Sequence, residues 1–180
     1  LSGMSMYVIG RMGERRYTIG RTLYTCLGAA AISSLGMLLF VGFSSIFIPF
    51  FIPEFAPEMS GFPYCSLLIS GSETGYLCII EYLMALSGAF YGALAMACDV
   101  LFNNIYVTSA SPLLASCLIT RLFVMLDVPS SLRLDLWLCA RTSFRSDETT
   151  LILCAVVVAF TVIICWLIYY RKTRRQIKGG

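Results

Sequence analysis

Residues 76–128 read YLCIIEYLMALSGAFYGALAMACDVLFNNIYVTSASPLLASCLITRLFVMLDV, an apolar stretch with a polar cluster near its middle. A bilayer core about 30 Å thick takes roughly 20 helical residues, so the stretch is too long for one crossing and has room for two. Asn103 and Asn104 supply turn residues where the two crossings would meet. The sequence therefore predicts a helical hairpin inside a membrane.

The composition of the chain also indicates a membrane protein. Its 180 residues are 58% hydrophobic and 13% charged. Globular domains contain about 25% charged residues, and a soluble domain of this length cannot bury so much apolar surface. We therefore expect an all-α, polytopic integral membrane protein with short loops, in contact with the lipid bilayer.

Two further apolar segments flank the hairpin. Residues 22–52 carry no charge, and LILCAVVVAFTVIICWLIYY at 151–170 ends in an aromatic belt followed by the basic run RKTRRQIK. The predicted order is a basic N-terminal arm (1–21), a first span (22–52), an outer loop (53–75), a second span (76–102), a third span (105–128), an outer loop (129–149), a fourth span (150–170) and a basic tail (171–180).

Basic residues concentrate at the two ends of the chain. Of the thirteen Lys and Arg residues, four lie at 11–21 and five at 171–178. Basic segments beside a span stay on the cytoplasmic side or its organellar equivalent, so both ends are expected on one side and the number of crossings is even. Four spans follow, with three as the alternative because Arg121 and the polar cluster weaken the third. These clusters indicate topology, and we expect no nucleic-acid partner.

Three ionisable residues lie within the predicted spans: Glu81, Asp99 and Arg121. Such charges are costly in lipid unless they are paired or hydrated. At 1.5 Å per residue, Glu81 and Arg121 both lie roughly 8 to 10 Å below the outer surface. We therefore predict an interhelical Glu81–Arg121 ion pair with a structural role, and we expect Asp99 to reach headgroups or cap the turn.

Small residues predict where helices pack, because they let two backbones approach closely. In the first span, Gly28 and Gly36 mark a helix contact. The second span carries a ridge of small residues at helical spacing: Ala85, Gly88, Ala89, Gly92, Ala93 and Ala97. We expect this ridge to pack against other helices of the same chain rather than to form a dimer interface.

Eight cysteines and no histidine limit the chemistry available to the chain. The absence of histidine excludes imidazole-ligated haem and metal sites and histidine general-base catalysis. No two cysteines form a CxxC pair, so a zinc ribbon or a thioredoxin-like motif is also excluded. Cys65 and Cys139 fall in the two outer loops, where an oxidising compartment permits a disulfide; two unpaired thiols are the alternative.

These features predict a non-catalytic membrane subunit that packs with other subunits into a larger assembly, with no cofactor. An accessory subunit of an energy-converting complex in the mitochondrial inner membrane is one example. An oligomeric channel, receptor or transporter is the alternative, and a membrane enzyme is a third class for which no constellation of residues is found. The first residues contain no intact secretory signal, so we expect Leu1 to follow a removed targeting peptide or a truncated start.

Overall fold

The computed structural model describes residues 3–48, 61–102 and 104–178, and all regular elements within these ranges are helical. The helices are α1 (Gly3–Met12), α2 (Glu14–Ser44), α3 (Cys65–Ile69), α4 (Glu73–Phe102), α5 (Ile105–Met125), a 3₁₀ turn (Ser130–Leu132), α6 (Leu134–Leu138) and α7 (Asp147–Lys178). Four of them, α2, α4, α5 and α7, are long and apolar enough to cross a membrane. The predicted all-α fold with four membrane-spanning helices is confirmed.

One end of the bundle holds the start of α2 together with the end of α7. The indole Nε1 of Trp166 donates to Thr18 Oγ1 at 3.4 Å. The end of α4 lies at the same level, because Lys172 Nζ on α7 donates to the carbonyl oxygen of Leu101 at 3.2 Å. We call this the inner end.

The opposite, outer end holds the start of α7 and the end of α5. The backbone N–H of Tyr64, just before α3, donates to Asp147 Oδ2 at 2.8 Å. Thr120 on α5 donates to Asp135 on α6 at 3.2 Å. Successive spanning helices therefore alternate in direction, and α2 begins at the end of the bundle where α7 finishes.

The α4–α5 connection forms the tight turn expected near residues 103–104. The Asn104 side chain accepts a hydrogen bond from the backbone N–H of Tyr106 at 2.9 Å, which caps the start of α5. Thr108 Oγ1 donates to Asp99 Oδ1 at 3.2 Å across the turn. Asp99 thus contributes to closing the hairpin, whereas Asn103 lies outside the described residues.

Helix boundaries differ from the predicted ones because charged residues extend the helices beyond the apolar segments. The predicted basic arm at 1–21 is largely helical, since α2 begins at Glu14 after Gly13 turns the chain with φ of 81°. The basic tail at 171–178 continues α7 without a break. Arginine and lysine are good helix formers, so a helix need not end where its span leaves the hydrocarbon.

The outer loops contain short helices. The predicted loop at 53–75 includes α3, although residues 53–60 lie outside the described ranges. The loop at 129–149 includes the 3₁₀ turn and α6, whose Trp137 and Leu138 are buried in one core cluster with Leu83 and Phe90 of α4. These two side chains anchor the predicted outer loop to the bundle.

Helix α4 is the centre of the bundle and packs against each of the other three spanning helices. Its buried residues fall into two clusters, one with α6 and the outer half of α7, the other with the inner halves of α2 and α7. By contrast, α5 packs chiefly against α4 and α6, and Ser111 is the one buried residue on it. The bundle is thus a closely packed trio of helices with α5 attached to one side.

Glycines on α4 bring it close to α2. A Cβ atom added at Gly88 would lie 2.6 Å from the carbonyl oxygen of Ala29, and one added at Gly92 would lie 2.7 Å from Ala29 Cβ. No described atom lies within 4 Å of the corresponding position at Gly28 or Gly36. The contact on α2 is therefore made by Ala29, one residue and about 100° around the helix from Gly28, and the predicted contacts at Gly28 and Gly36 are not present.

Replacing Gly88 by alanine should destabilise the bundle, because the new methyl group would clash with backbone atoms of α2. Backbone atoms cannot move aside as the end of a flexible side chain can. We expect the free energy of unfolding to fall by about 1–3 kcal/mol, as in other overpacked interiors. Thermal unfolding of the purified chain in mild detergent, followed by circular dichroism, measures the change.

Gly28→Ala is the matched control, because it adds the same methyl group to an adjacent helix but into open space. Its unfolding temperature should stay unchanged or rise, since alanine favours a helix interior over glycine by about 0.5–1 kcal/mol. Equal stability of the two variants would contradict the close α2–α4 approach.

Candidate functional site

Glu81 lies on the face of α4 that meets α2. It shares this face with Ala85, Gly88 and Gly92, because the spacings of four, three and four residues keep them on one side of the helix. Glu81 Oε1 is buried and has no hydrogen-bond partner among the described residues. A carboxylate oxygen thus lies within the helix bundle without a donor.

The remaining small residues of the predicted ridge face different neighbours. Ala93 is fully buried in the inner cluster, and Ala89 packs against both clusters. Ala85 is partly buried. The ridge therefore divides, because Gly88 and Gly92 face α2 while Ala89 and Ala93 fill the core.

Arg121 is exposed on α5 and does not pair with Glu81. The salt bridge found within the described ranges joins Arg133 to Asp135. Ile119 packs against the core. Arg121 lies two residues later, which rotates its side chain by about 200° around the helix axis, so it faces away from α4. The prediction gave the two residues similar depths but did not anticipate that they lie on different faces.

Cys65 and Cys139 are both free thiols in this structure, so the predicted disulfide is not formed. Cys65 is 1% exposed at the start of α3, and burial, followed by the nearby Asp147, raises the pKa of its thiol. Cys139 is exposed just after α6. It lines an apolar cavity of about 290 Å³ shared with Met37 and Tyr76.

The outer end is held together by a charged network that sequence analysis did not identify. Arg133 Nη2 contacts Asp135 Oδ2 at 2.8 Å, and Thr120 of α5 donates to the same oxygen. Burial acts to raise the pKa of Asp135, but the hydrogen bonds and charge of Arg133, with the Thr120 hydroxyl, bring the pKa below its ordinary value. The sequence signal was an Arg and an Asp two residues apart in the second outer loop.

A second contact ties the 61–64 segment to the start of α7. Tyr64 is buried with φ of 63°, and its N–H donates to the Asp147 carboxylate. Burial first, then the charges of Asp147 and Cys154, raises the pKa of the Tyr64 phenol to about 12. The 83 residues that separate the partners leave no local sequence signal for this contact.

At the inner end, two basic side chains contact other groups of the protein. Lys172 donates to the carbonyl oxygens of Val100 and Leu101, where the end of α4 leaves acceptors unpaired and carries partial negative charge. The Arg21 guanidinium lies over the ring of Tyr169, 5.6 Å from its centroid. In sequence, neither residue differs from the other basic residues of its cluster.

The described residues contain no group of three or more Cys, Asp or Glu side chains placed to hold a metal ion. The polar contacts at both ends join helices and loops of this chain. Their geometry supports structural roles, since each charged partner contacts another group of the protein.

One stripe of α5 faces away from every helix of the chain, and we call it the α5 outer face. It consists of five exposed residues spaced three or four apart: Tyr106, Ala110, Leu113, Cys117 and Arg121. Tyr106 and Leu113 are 82% and 70% exposed. The face combines apolar side chains with one arginine that has no ion-pair partner in the described part of the chain.

Comparison with protein families, with curated proteins and with solved structures found no match for this chain.

The Arg133–Asp135 pair predicts an acid-sensitive contribution to stability. The pKa of Asp135 is lower in the folded chain than its ordinary value of 3.8, so the stabilisation is present above that value. This stabilisation is lost as the pH falls through the lower pKa that Asp135 has in the folded chain. Unfolding temperatures in detergent, measured from about pH 6 to about pH 3, should therefore fall less steeply for Asp135→Asn than for the unmodified chain.

Asp127→Asn is the control, because Asp127 is exposed and its φ of 49° is one that asparagine tolerates. Its pH dependence should match that of the unmodified chain. Identical pH profiles for all three proteins would show that Asp135 makes no such contribution.

Proposed function

We propose that this chain is a non-catalytic integral membrane subunit that packs into a larger membrane protein assembly. The observation that carries the proposal is Arg121, a charged residue on the exposed side of a spanning helix. The packing of α5 provides further support.

Helix α5 gains little from contacts within its own chain. It packs chiefly against α4 and the short α6, and within it Ser111 alone is buried. Lipid tails are as apolar as leucine, so the hydrophobic effect does not press α5 against its neighbours. Packing contacts with a second polypeptide would hold the α5 outer face in place. This face is the surface we assign to a neighbouring subunit.

Arg121 indicates the chemistry of that neighbour. A charge on the lipid-facing side of a helix costs several kcal/mol unless it is paired or reaches water. Arg121 lies four residues before the end of α5 at Met125, about 6 Å along the axis, so its long side chain can also extend to the headgroups. We propose instead that Arg121 pairs with an acidic side chain of the neighbouring subunit. Only this second role makes assembly depend on Arg121.

The proposal extends to an accessory subunit of an energy-converting complex in an organelle, with the mitochondrial inner membrane as its location. The absence of histidine ligands in the sequence supports a packing role rather than a role in electron transfer.

An oligomeric channel, receptor or transporter is the second candidate, and the buried, unpartnered oxygen of Glu81 favours it. The close approach of α2 at Gly88 and Gly92 fills the space along this face of α4. A pore would therefore have to lie between copies of the chain. Glu81→Gln should alter conductance or transport without changing assembly if this candidate is correct.

Arg121→Gln should release the chain from its assembly, because glutamine retains hydrogen-bonding atoms but cannot pair with a buried carboxylate. Hydrogen bonds to charged groups contribute about 1.5–3 kcal/mol, so the amount of partner that copurifies should fall about tenfold or more. Native electrophoresis of membranes solubilised in mild detergent, followed by identification of the copurifying chains, measures this loss.

Arg145→Gln is the matched control, since Arg145 is an exposed arginine in the outer loop. It should leave the assembly intact. A chain that migrates alone before any substitution, or an Arg121→Gln chain that keeps all its partners, would overturn the proposal.

A further inference from the structure

The last turns of α7 carry basic residues on two opposite faces. On the inward face, Thr173 is buried and Lys172 donates to backbone carbonyls at the end of α4. Arg171, Arg174 and Arg175 lie on the outward face. Among the described basic side chains of these turns, Lys172 alone donates to another helix, so the three arginines remain available for another ligand.

The outward arginines share a recess with an aliphatic and an aromatic residue. Leu167, Tyr170 and the three arginines line a cavity of about 470 Å³. The Tyr170 ring stacks on Trp166 with centroids 5.9 Å apart and an interplanar angle of 25°. All five lining residues lie on one face of α7, where the Tyr170 ring, stacked on Trp166, lies beside three guanidinium groups.

No carboxylate neutralises these arginines within the described ranges. The ion pair found there joins Arg133 and Asp135 at the outer end. Residues 167–178 contain no Asp or Glu. Of the two described acidic residues at the inner end, Asp99 accepts from Thr108 in the α4–α5 turn, and Glu14 is followed directly by Arg15 and Arg16. The recess is thus strongly positive.

We propose that this recess binds the phosphate headgroup of an anionic membrane lipid. Three guanidinium groups suit a phosphate, which accepts short, charge-assisted hydrogen bonds. The distance from Leu167 to Arg175 along the helix is about 12 Å, so the recess runs from the end of the apolar span to the headgroup level.

A lipid uses the whole recess, whereas a free phosphate uses only part of it. The acyl chain of a phospholipid lies beside Leu167 while its phosphate reaches the arginines, and tyrosine and tryptophan are the residues that favour this interface. A soluble phosphate gains nothing from the apolar wall. The proposal is independent of the partner subunit proposed above, because the recess lies at the inner end of α7 and the α5 outer face lies on another helix.

The test measures lipid binding to the full chain with all three arginines replaced by glutamine. The unmodified chain and Arg171→Gln/Arg174→Gln/Arg175→Gln are reconstituted in nanodiscs of phosphatidylcholine with about one tenth phosphatidylglycerol, and native mass spectrometry counts the retained phosphatidylglycerol. Glutamine cannot make the charge-assisted hydrogen bonds that the three guanidinium groups make to a phosphate, so retention should fall at least tenfold.

A second triple variant separates a defined site from general surface charge. Arg11→Gln/Arg15→Gln/Arg16→Gln removes the same charge from exposed residues at the same end of the bundle. It should retain phosphatidylglycerol within about twofold of the unmodified chain, because these three arginines do not line the recess. Equal losses in the two triple variants would overturn the proposal, because binding would then depend on net charge alone.

Competition distinguishes a lipid from a soluble anion. Inorganic phosphate or glycerol 3-phosphate, added in excess over phosphatidylglycerol, should displace little of the bound lipid. Displacement in proportion to concentration would assign the recess to a free phosphate and overturn the lipid proposal. Circular dichroism of each variant verifies that the exposed substitutions leave the helices intact.

Discussion

The close approach of α4 to α2 is the contact on which the bundle depends. Inside lipid, helices gain little from burying apolar side chains, so association relies on packing at short range. Gly88 and Gly92 allow this by placing bare backbone against Ala29. Because α4 also carries the contacts to α5 and α7, a shift of α4 relative to α2 would change the position of every other spanning helix.

Polar contacts at the two ends complement this packing in the middle. Lys172 joins α7 to the end of α4 at the inner end, while the Asp147 contact with Tyr64 and the Asp135 contact with Thr120 fix the outer end. Helix α5 takes part in few such contacts, and its outer face with Arg121 is the surface that the rest of the chain leaves uncovered.

The sequence predicted which segments are long and apolar enough to span a membrane, but not the directions in which their side chains point. Glu81 and Arg121 were assigned similar depths, yet Glu81 lies on the α2-facing side of α4 while Arg121 faces away from the bundle. Gly28 was expected to make a helix contact that Ala29 makes instead. Both errors have one cause, since a change of one residue rotates a side chain by about 100° but moves it only 1.5 Å along the axis.

The sequence by itself determined the number of spanning helices, the turn near Asn104 and the common end shared by the basic segments. These properties depend on the length of apolar segments and on the order of charges, which are linear features of a chain in a bilayer of fixed thickness. Only the tertiary structure decided which residues touch, which thiols are buried and which arginines point outward. Those outcomes depend on the rotation of each helix about its own axis, and that rotation is set by contacts between residues distant in sequence.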